Sequence, residues 1–69
     1  MQDTPWTYNG FLCLHERRFF DMYCFVKHEE KGWIAWCRDR YVHAECRPFY
    51  KTKKAAQKAA ERLAHRLYR

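Results

Sequence analysis

Residues 52–67 read TKKAAQKAAERLAHRL, and this run predicts a helix against which the rest of the chain packs. Thr52 is a suitable N-cap because its hydroxyl can accept an amide hydrogen of the first turn, and no proline or glycine follows it. The apolar stripe of this helix is narrow and mostly alanine, and small side chains let a helix axis approach strands closely, so we expect the helix to lie flat on a sheet. The stripe recurs at three- and four-residue spacing and consists of Ala56, Ala59, Ala60, Leu63, Ala64 and Leu67.

Positive charge is concentrated in this helix and the residues before it. The chain has a formal net charge of +6, which divides into −1 over residues 1–46 and +7 over residues 47–69. A concentrated positive field favours polyanions through counterion release. The alternative is a solvated helix face that serves only solubility.

Three strands are predicted ahead of the helix. Apolar and polar residues alternate over residues 21–28, 33–38 and 41–47, and polar turn residues separate these runs. Pro48 cannot donate to a strand ladder and should end the third strand. The expected fold is α+β, a three-stranded antiparallel sheet with the C-terminal helix on one face, in a single domain spanning residues 1–69.

Residues 4–17 allow two interpretations. Thr4-Pro5 has the composition of a helix start, with threonine as the cap and proline in the first turn. Gly10 is unfavourable inside a helix, and residues 10–14 have the composition of a buried strand. Both a first helix and a first strand remain open from the residues alone.

Several functional classes are not expected. No run approaches the ~18 apolar residues that span a bilayer, and the first residues lack the basic start of a signal peptide, so we expect a cytoplasmic protein without a membrane partner. No spacing suggests a nucleophilic triad, a carboxylate pair or a glycine-rich phosphate loop, so we expect no enzyme activity and no cofactor. The cysteines lack the knuckle spacing of zinc sites and should be reduced, buried small side chains: Cys13, Cys24, Cys37 and Cys46.

The last helix resembles that of a double-stranded-RNA-binding domain. It opens Thr52-Lys53-Lys54-x-Ala56 and continues through Ala59-Ala60 and Leu63-Ala64, whereas the family motif is Ser/Thr-Lys-Lys-x-Ala-Lys-x-x-Ala-Ala. The resemblance covers about residues 21–67 and implies an α-β-β-β-α order, with the first helix in residues 4–17. It also implies non-catalytic binding of duplex RNA in preference to DNA, although Gln57 stands where the family usually has a third lysine. The contact residues so predicted are Lys51, Thr52, Lys53, Lys54, Lys58, His28 and Lys31.

The strand alternation predicts a second surface on the sheet face away from the helix. Residues 33–39 and 50–52 resemble the DNA-binding module of plant ethylene-response factors and integrase N-termini, whose exposed sheet face enters the major groove. The same aromatic face is typical of a protein interface, either with a target of a small phage or mobile-element regulator or in a homodimer. The residues of this alternative interface are Tyr23, Phe25, Trp36, Arg38, Tyr41, His43 and Arg47.

Overall fold

The computed structural model describes residues 3–46 and 49–67. These residues form one antiparallel sheet with the strand order β1-β2-β3-β4-β5, followed by a C-terminal helix, so the fold is α+β. The sheet therefore has five strands, and the prediction of three was wrong. The elements are β1 (Thr7–Asn9), β2 (Leu14–Phe19), β3 (Met22–Glu29), β4 (Gly32–Arg38), β5 (His43–Glu45) and α1 (Lys53–Leu67).

The N-terminal segment is a hairpin of β1 and β2. The Asn9 side chain accepts hydrogen bonds from the amides of Phe11 (3.0 Å) and Leu12 (3.1 Å), and Cys13 has a φ of 58°. These features close a turn over residues 10–13 in place of a helical turn. The helix that the family resemblance implied in residues 4–17 is therefore wrong. The segment contains strands, as the alternative had it, but the buried strand predicted at residues 10–14 is also wrong, because residues 10–13 form an exposed turn and only Leu14 belongs to a strand.

The central hairpin of β3 and β4 agrees with the sequence pattern. Cys24 lies opposite Cys37, and Phe25 lies opposite Trp36. Because residues directly opposite each other share a face of the sheet, the two cysteines point to one side and the two rings to the other. Both predicted strands are confirmed within one residue at each end.

β5 is shorter than predicted. The Asp39 carboxylate accepts hydrogen bonds from the amides of Tyr41 (2.8 Å) and Val42 (2.7 Å), which holds both residues in a loop. The strand therefore begins at His43, and Tyr41 is not part of the ladder. The strand end predicted at Pro48 lies outside the described residues.

The helix packs on the cysteine side of the sheet, mainly against β3 and β4. Fully buried alanines of α1 face fully buried Cys24, Val26 and Cys37, so the predicted alanine stripe is confirmed. The Cys37 thiol donates a hydrogen bond to the Ala60 carbonyl (3.0 Å), which shows how closely the helix backbone approaches the strand. The Thr52 hydroxyl caps the helix by accepting from the Ala55 amide at 3.1 Å, also as predicted.

The opposite face, called the outer sheet face below, has a different environment. Among residues 3–46 and 49–67, no helix or strand lies over it. Within the same ranges no helix combines the length and apolar character needed to cross a bilayer. The fold thus presents two distinct surfaces, the exposed side of α1 and the outer sheet face.

Candidate functional site

A row of basic side chains follows the exposed side of α1. Lys54, Lys58, Arg62 and Arg66 recur every four residues, and all four are exposed. At 1.5 Å rise per residue, neighbours in this row are about 6 Å apart along the axis, and the row extends for about 18 Å. We call these four residues the basic ridge.

Among the described residues, no carboxylate is paired with the positive charges of the basic ridge. Like charges four residues apart each destabilise a helix by about 0.2–0.5 kcal/mol. The arrangement therefore lowers the stability of the helix, and an anion lying along it would relieve the repulsion.

The single acidic residue of α1 is bonded to groups outside the helix. The Glu61 carboxylate accepts from Arg17 Nη1 at 2.6 Å and from Trp6 Nε1 at 2.8 Å, with both donors on the same oxygen, Oε2. These bonds join the middle of the helix to β2 and to the segment before β1. Glu61 consequently anchors the helix and leaves the ridge charge unbalanced.

The start of α1 is fixed to the β3–β4 hairpin. Backbone hydrogen bonds join Trp33 and Tyr50 in both directions, at 2.8 Å and 2.7 Å. Gly32 has a φ of 141°, and a Cβ there would lie 2.8 Å from the Tyr50 carbonyl oxygen, so the approach requires glycine. The hairpin that carries His28 and Lys31 is thereby held beside the residues that lead into the helix.

This end of the molecule contains most of the predicted nucleic-acid contacts. Lys51, Thr52, Lys53 and Lys54 are exposed and contiguous at the helix start, and Lys58 follows one turn later. The predicted residues Lys31 and His28 lie on the neighbouring hairpin, where the His28 ring stacks on Trp33 at a centroid distance of 4.8 Å.

An aromatic row continues from this end across the sheet. The rings of Tyr8 and His15 are 5.0 Å apart, and those of His15 and Trp33 are 5.9 Å apart. Burial and, to a smaller extent, the nearby Lys53 ammonium lower the pKa of His15, so its imidazole is neutral at pH 7. The row ends at Trp33, whose backbone is bonded to Tyr50 just ahead of the helix start.

Sequence reasoning missed two members of the ridge. Arg62 and Arg66 were not among the predicted contacts, although they continue the four-residue spacing of Lys54 and Lys58. The contacts that the family resemblance implies lie at the helix start and do not reach the last two turns. The spacing alone would have been sufficient to include them.

The outer sheet face brings together most of the alternative interface. Phe25 and Trp36 stack with centroids 5.2 Å apart and planes 21° apart, and the Arg38 guanidinium lies 5.9 Å from the Phe25 ring centre. Arg18 lies over the Tyr23 ring at 5.2 Å. His43 pairs with Arg38 on the same face.

One residue of the alternative interface differs from the prediction, and another is not described. Tyr41 is exposed in the loop before β5, because Asp39 holds its amide there, and it is not on the sheet face. Arg47 lies outside the described residues.

The charges of the outer sheet face are balanced. Lys27 and Glu29 approach to 3.8 Å, and His43 and Glu45 to 3.4 Å. The strand register places three basic and three acidic residues on this face: Arg18, Lys27 and Arg38 with Glu16, Glu29 and Glu45. The excess of positive charge therefore lies on α1 and not on the sheet.

The cysteines lie in three environments. Cys24 and Cys37 are fully buried with their sulfurs 3.4 Å apart, as expected for small core side chains. Cys46 is only partly buried, and Cys13 is exposed, contrary to the prediction. The hydrogen bond to Cys24 and then burial raise the pKa of Cys37 far above its ordinary value, so this thiol stays protonated. Across the ranges that the structure describes, no three His, Cys, Asp or Glu side chains are placed to hold a metal ion.

Comparison with known proteins does not assign a function to the chain. No family model, no curated protein and no solved structure matches the chain. Charge distribution, exposure and ring geometry are therefore the observations that bear on function.

Proposed function

We propose that the protein is a non-catalytic nucleic-acid-binding module that binds a phosphate backbone along α1. The observation that supports the proposal most strongly is the basic ridge, with its four exposed cations and no carboxylate partner among the described residues. One strand of a duplex carries one phosphate per about 3.4 Å of axis, so a row of about 18 Å spans about five phosphates of a strand. Polyanion binding would relieve the repulsion within the ridge and release counterions.

The helix start extends this surface. Lys53 and Lys54 follow the Thr52 cap, where exposed amides and the helix dipole favour an anion. Lys51 and the adjacent hairpin residue Lys31 add positive charge at the same end. The resemblance of this helix start to that of double-stranded-RNA-binding domains favours duplex RNA over DNA as the partner.

The proposal is tested by a salt titration with matched charge reversals. The binding of a 20-base-pair RNA duplex, followed by fluorescence anisotropy between 50 and 200 mM salt, should weaken steeply as salt increases. Lys54→Glu with Lys58→Glu should weaken binding and reduce the slope of log K against log salt by about 2, one for each lost phosphate contact. DNA of the same sequence measures the preference for RNA.

The control pair makes the same change of charge on the other surface. Lys27→Glu with Arg38→Glu alters two exposed or half-exposed cations of the outer sheet face and should reduce binding much less. If this pair abolishes binding while the ridge pair does not, DNA or RNA is bound by the sheet in the manner of the integrase-arm modules. Absence of binding to any duplex at 50 mM salt refutes a nucleic-acid function.

The outer sheet face supports a second candidate function, the binding of a protein partner or a second copy of the chain. Stacked aromatic rings with arginines over them and a balanced charge are typical of protein interfaces. A groove of about 410 Å³ lies on this face, with Tyr23, Phe25 and Arg38 in its wall. Sedimentation at 100 µM tests the homodimer, since Trp36→Ala should dissociate a dimer formed through this face, and a wild-type monomer excludes it.

A further inference from the structure

A pocket lies beside the basic ridge, between the β2–β3 turn and α1. Its volume is about 360 Å³, within the range of about 300–1,000 Å³ that small-molecule sites occupy. Two phenyl rings and an imidazole contribute aromatic surface, and two ridge cations and the Glu61 side chain complete the lining. The lining residues are Phe19, Phe20, Lys58, Glu61, Arg62 and His65.

The β2–β3 turn holds Phe20 in an unfavourable backbone conformation. Phe20 and Asp21 have φ values of 53° and 61°, as in a two-residue hairpin turn in which asparagine and glycine are preferred. A bulky residue with positive φ is rare because its side chain clashes with its own backbone. Backbone strain of this kind often accompanies a functional position.

The strained turn directs an aromatic ring toward the helix. The Phe20 ring stacks on His65 at 4.8 Å with planes 30° apart and meets the Phe19 ring edge-on at 4.7 Å. The guanidinium of Arg17, which is bonded to Glu61, lies 4.4 Å from the centre of the Phe19 ring. The result is an aromatic wall that adjoins the Arg17–Glu61 ion pair.

The charges around the pocket indicate which kind of ligand it can bind. Lys58 and Arg62 belong both to the pocket and to the basic ridge, so any phosphate on the ridge passes directly beside the aromatic wall. Glu61 is already bonded to Arg17 and Trp6, and its charge is thereby compensated. An aromatic wall next to a track of cations is the combination on which unpaired bases stack while their phosphates are neutralised.

We infer that this pocket receives one unstacked base of a nucleic acid whose backbone lies on the basic ridge. The inference rests on the proposed function and specifies its substrate class. RNA with an unpaired nucleotide, such as a bulge, binds in preference to a fully paired duplex. The pocket adds stacking on Phe20 and His65 to the electrostatic attraction of the ridge.

The test compares two RNAs that differ by one nucleotide. A 20-base-pair duplex and the same duplex with a single-nucleotide bulge are titrated by fluorescence anisotropy, and the wild type should bind the bulged RNA about tenfold more tightly. Phe20→Asn should remove this preference. Because asparagine suits the positive φ, the same variant should keep or raise the urea midpoint, which a purely structural role for the ring would lower.

Two further variants complete the design. Phe11→Asn is a matched control, since Phe11 is 94% exposed in the β1–β2 turn, and it should retain the preference. His65→Ala removes the other stacking ring at an exposed helix position where alanine is the best helix former, so it should fold and lose part of the preference.

The outcomes separate this inference from the proposed function. Equal, salt-dependent binding of both RNAs by the wild type overturns the base pocket and leaves the ridge as a duplex-binding surface. A bulge preference that survives Phe20→Asn also overturns it. No binding of either RNA at low salt overturns both.

Discussion

Replacing Glu61 with alanine should destabilise the fold, because this one carboxylate joins α1 to two other parts of the chain. It accepts from Arg17 and Trp6, and the charged side chains retain only 16% (Arg17) and 27% (Glu61) of their exposure. Glu61→Ala would leave a largely buried guanidinium without its counterion and an indole N–H without its acceptor. Both consequences act at the point where α1 meets β2.

The magnitude follows from the two bonds. A hydrogen bond to a charged group contributes about 1.5–3 kcal/mol and a neutral one about 1 kcal/mol. Because solvent reaches part of the pair, we reduce this sum and expect a loss of about 2 kcal/mol in the free energy of unfolding. A domain of 69 residues has a total of about 3–10 kcal/mol. The melting temperature should accordingly fall by roughly 8–16 °C.

Urea and thermal unfolding followed by circular dichroism measure the effect. Glu61→Gln keeps an acceptor without the charge and should lose about half as much stability. Glu45→Ala is the control, because this carboxylate is 75% exposed and should contribute less than about 0.5 kcal/mol. In an Arg17→Met background, Glu61→Ala should cost about 1 kcal/mol less than in the wild type. A loss under about 0.5 kcal/mol for Glu61→Ala, or strict additivity with Arg17→Met, would contradict the reasoning.

Three further variants probe the core, a turn and a histidine. Ala60→Leu inserts volume at a fully buried helix position and should cost about 1–3 kcal/mol in urea unfolding, whereas Ala55→Leu at an exposed position should be close to neutral. Gly32→Ala places a Cβ against a backbone oxygen at positive φ and should cost about 1 kcal/mol or more, whereas Gly10→Ala meets only an ordinary side-chain contact and should change little. The pKa of His15 is lower in the folded state than in the unfolded state, so its protonation favours unfolding as pH falls through about 6.5. His15→Gln should therefore lose less stability between pH 7.5 and 5 than the wild type. An equal loss would count against the role of His15.

The parts of the fold that were predictable depend on short-range interactions. Thr52 caps the helix, the alanines fall on one stripe, and alternation fixes the faces of β3 and β4. Each signal acts within a few residues, so the sequence contains it directly.

The parts that were missed depend on turn chemistry and register. Asn9-Gly10 is a turn signal, but the residues around it also have the composition of a helix start and of a buried strand, and the side-chain bonds of Asn9 favour the turn. Asp39 shortens β5 in a comparable way. Neither effect has a periodicity that a scan for apolar residues would find.

The candidate site likewise has parts that the sequence predicts and parts that it does not. The lysines at the helix start were recognisable by composition, and the faces of Phe25 and Trp36 by alternation. The role of Phe20 was not recognisable, because its significance comes from a positive φ and from a stack on His65, 45 positions later in the chain. Such pairings arise only once strand register and helix position are fixed together.

Because Cys24 and Cys37 are buried beneath α1, alkylation of these two thiols can report how often the helix separates from the sheet. Neither sulfur has accessible surface, and Cys37 is held in the unreactive thiol form, so iodoacetamide modifies the pair only in molecules whose helix has separated from the sheet. The exposed Cys13 reacts without any opening and supplies an internal reference rate. Comparing the two alkylation rates by mass spectrometry gives the free energy of detaching the helix, with no dye or isotope introduced.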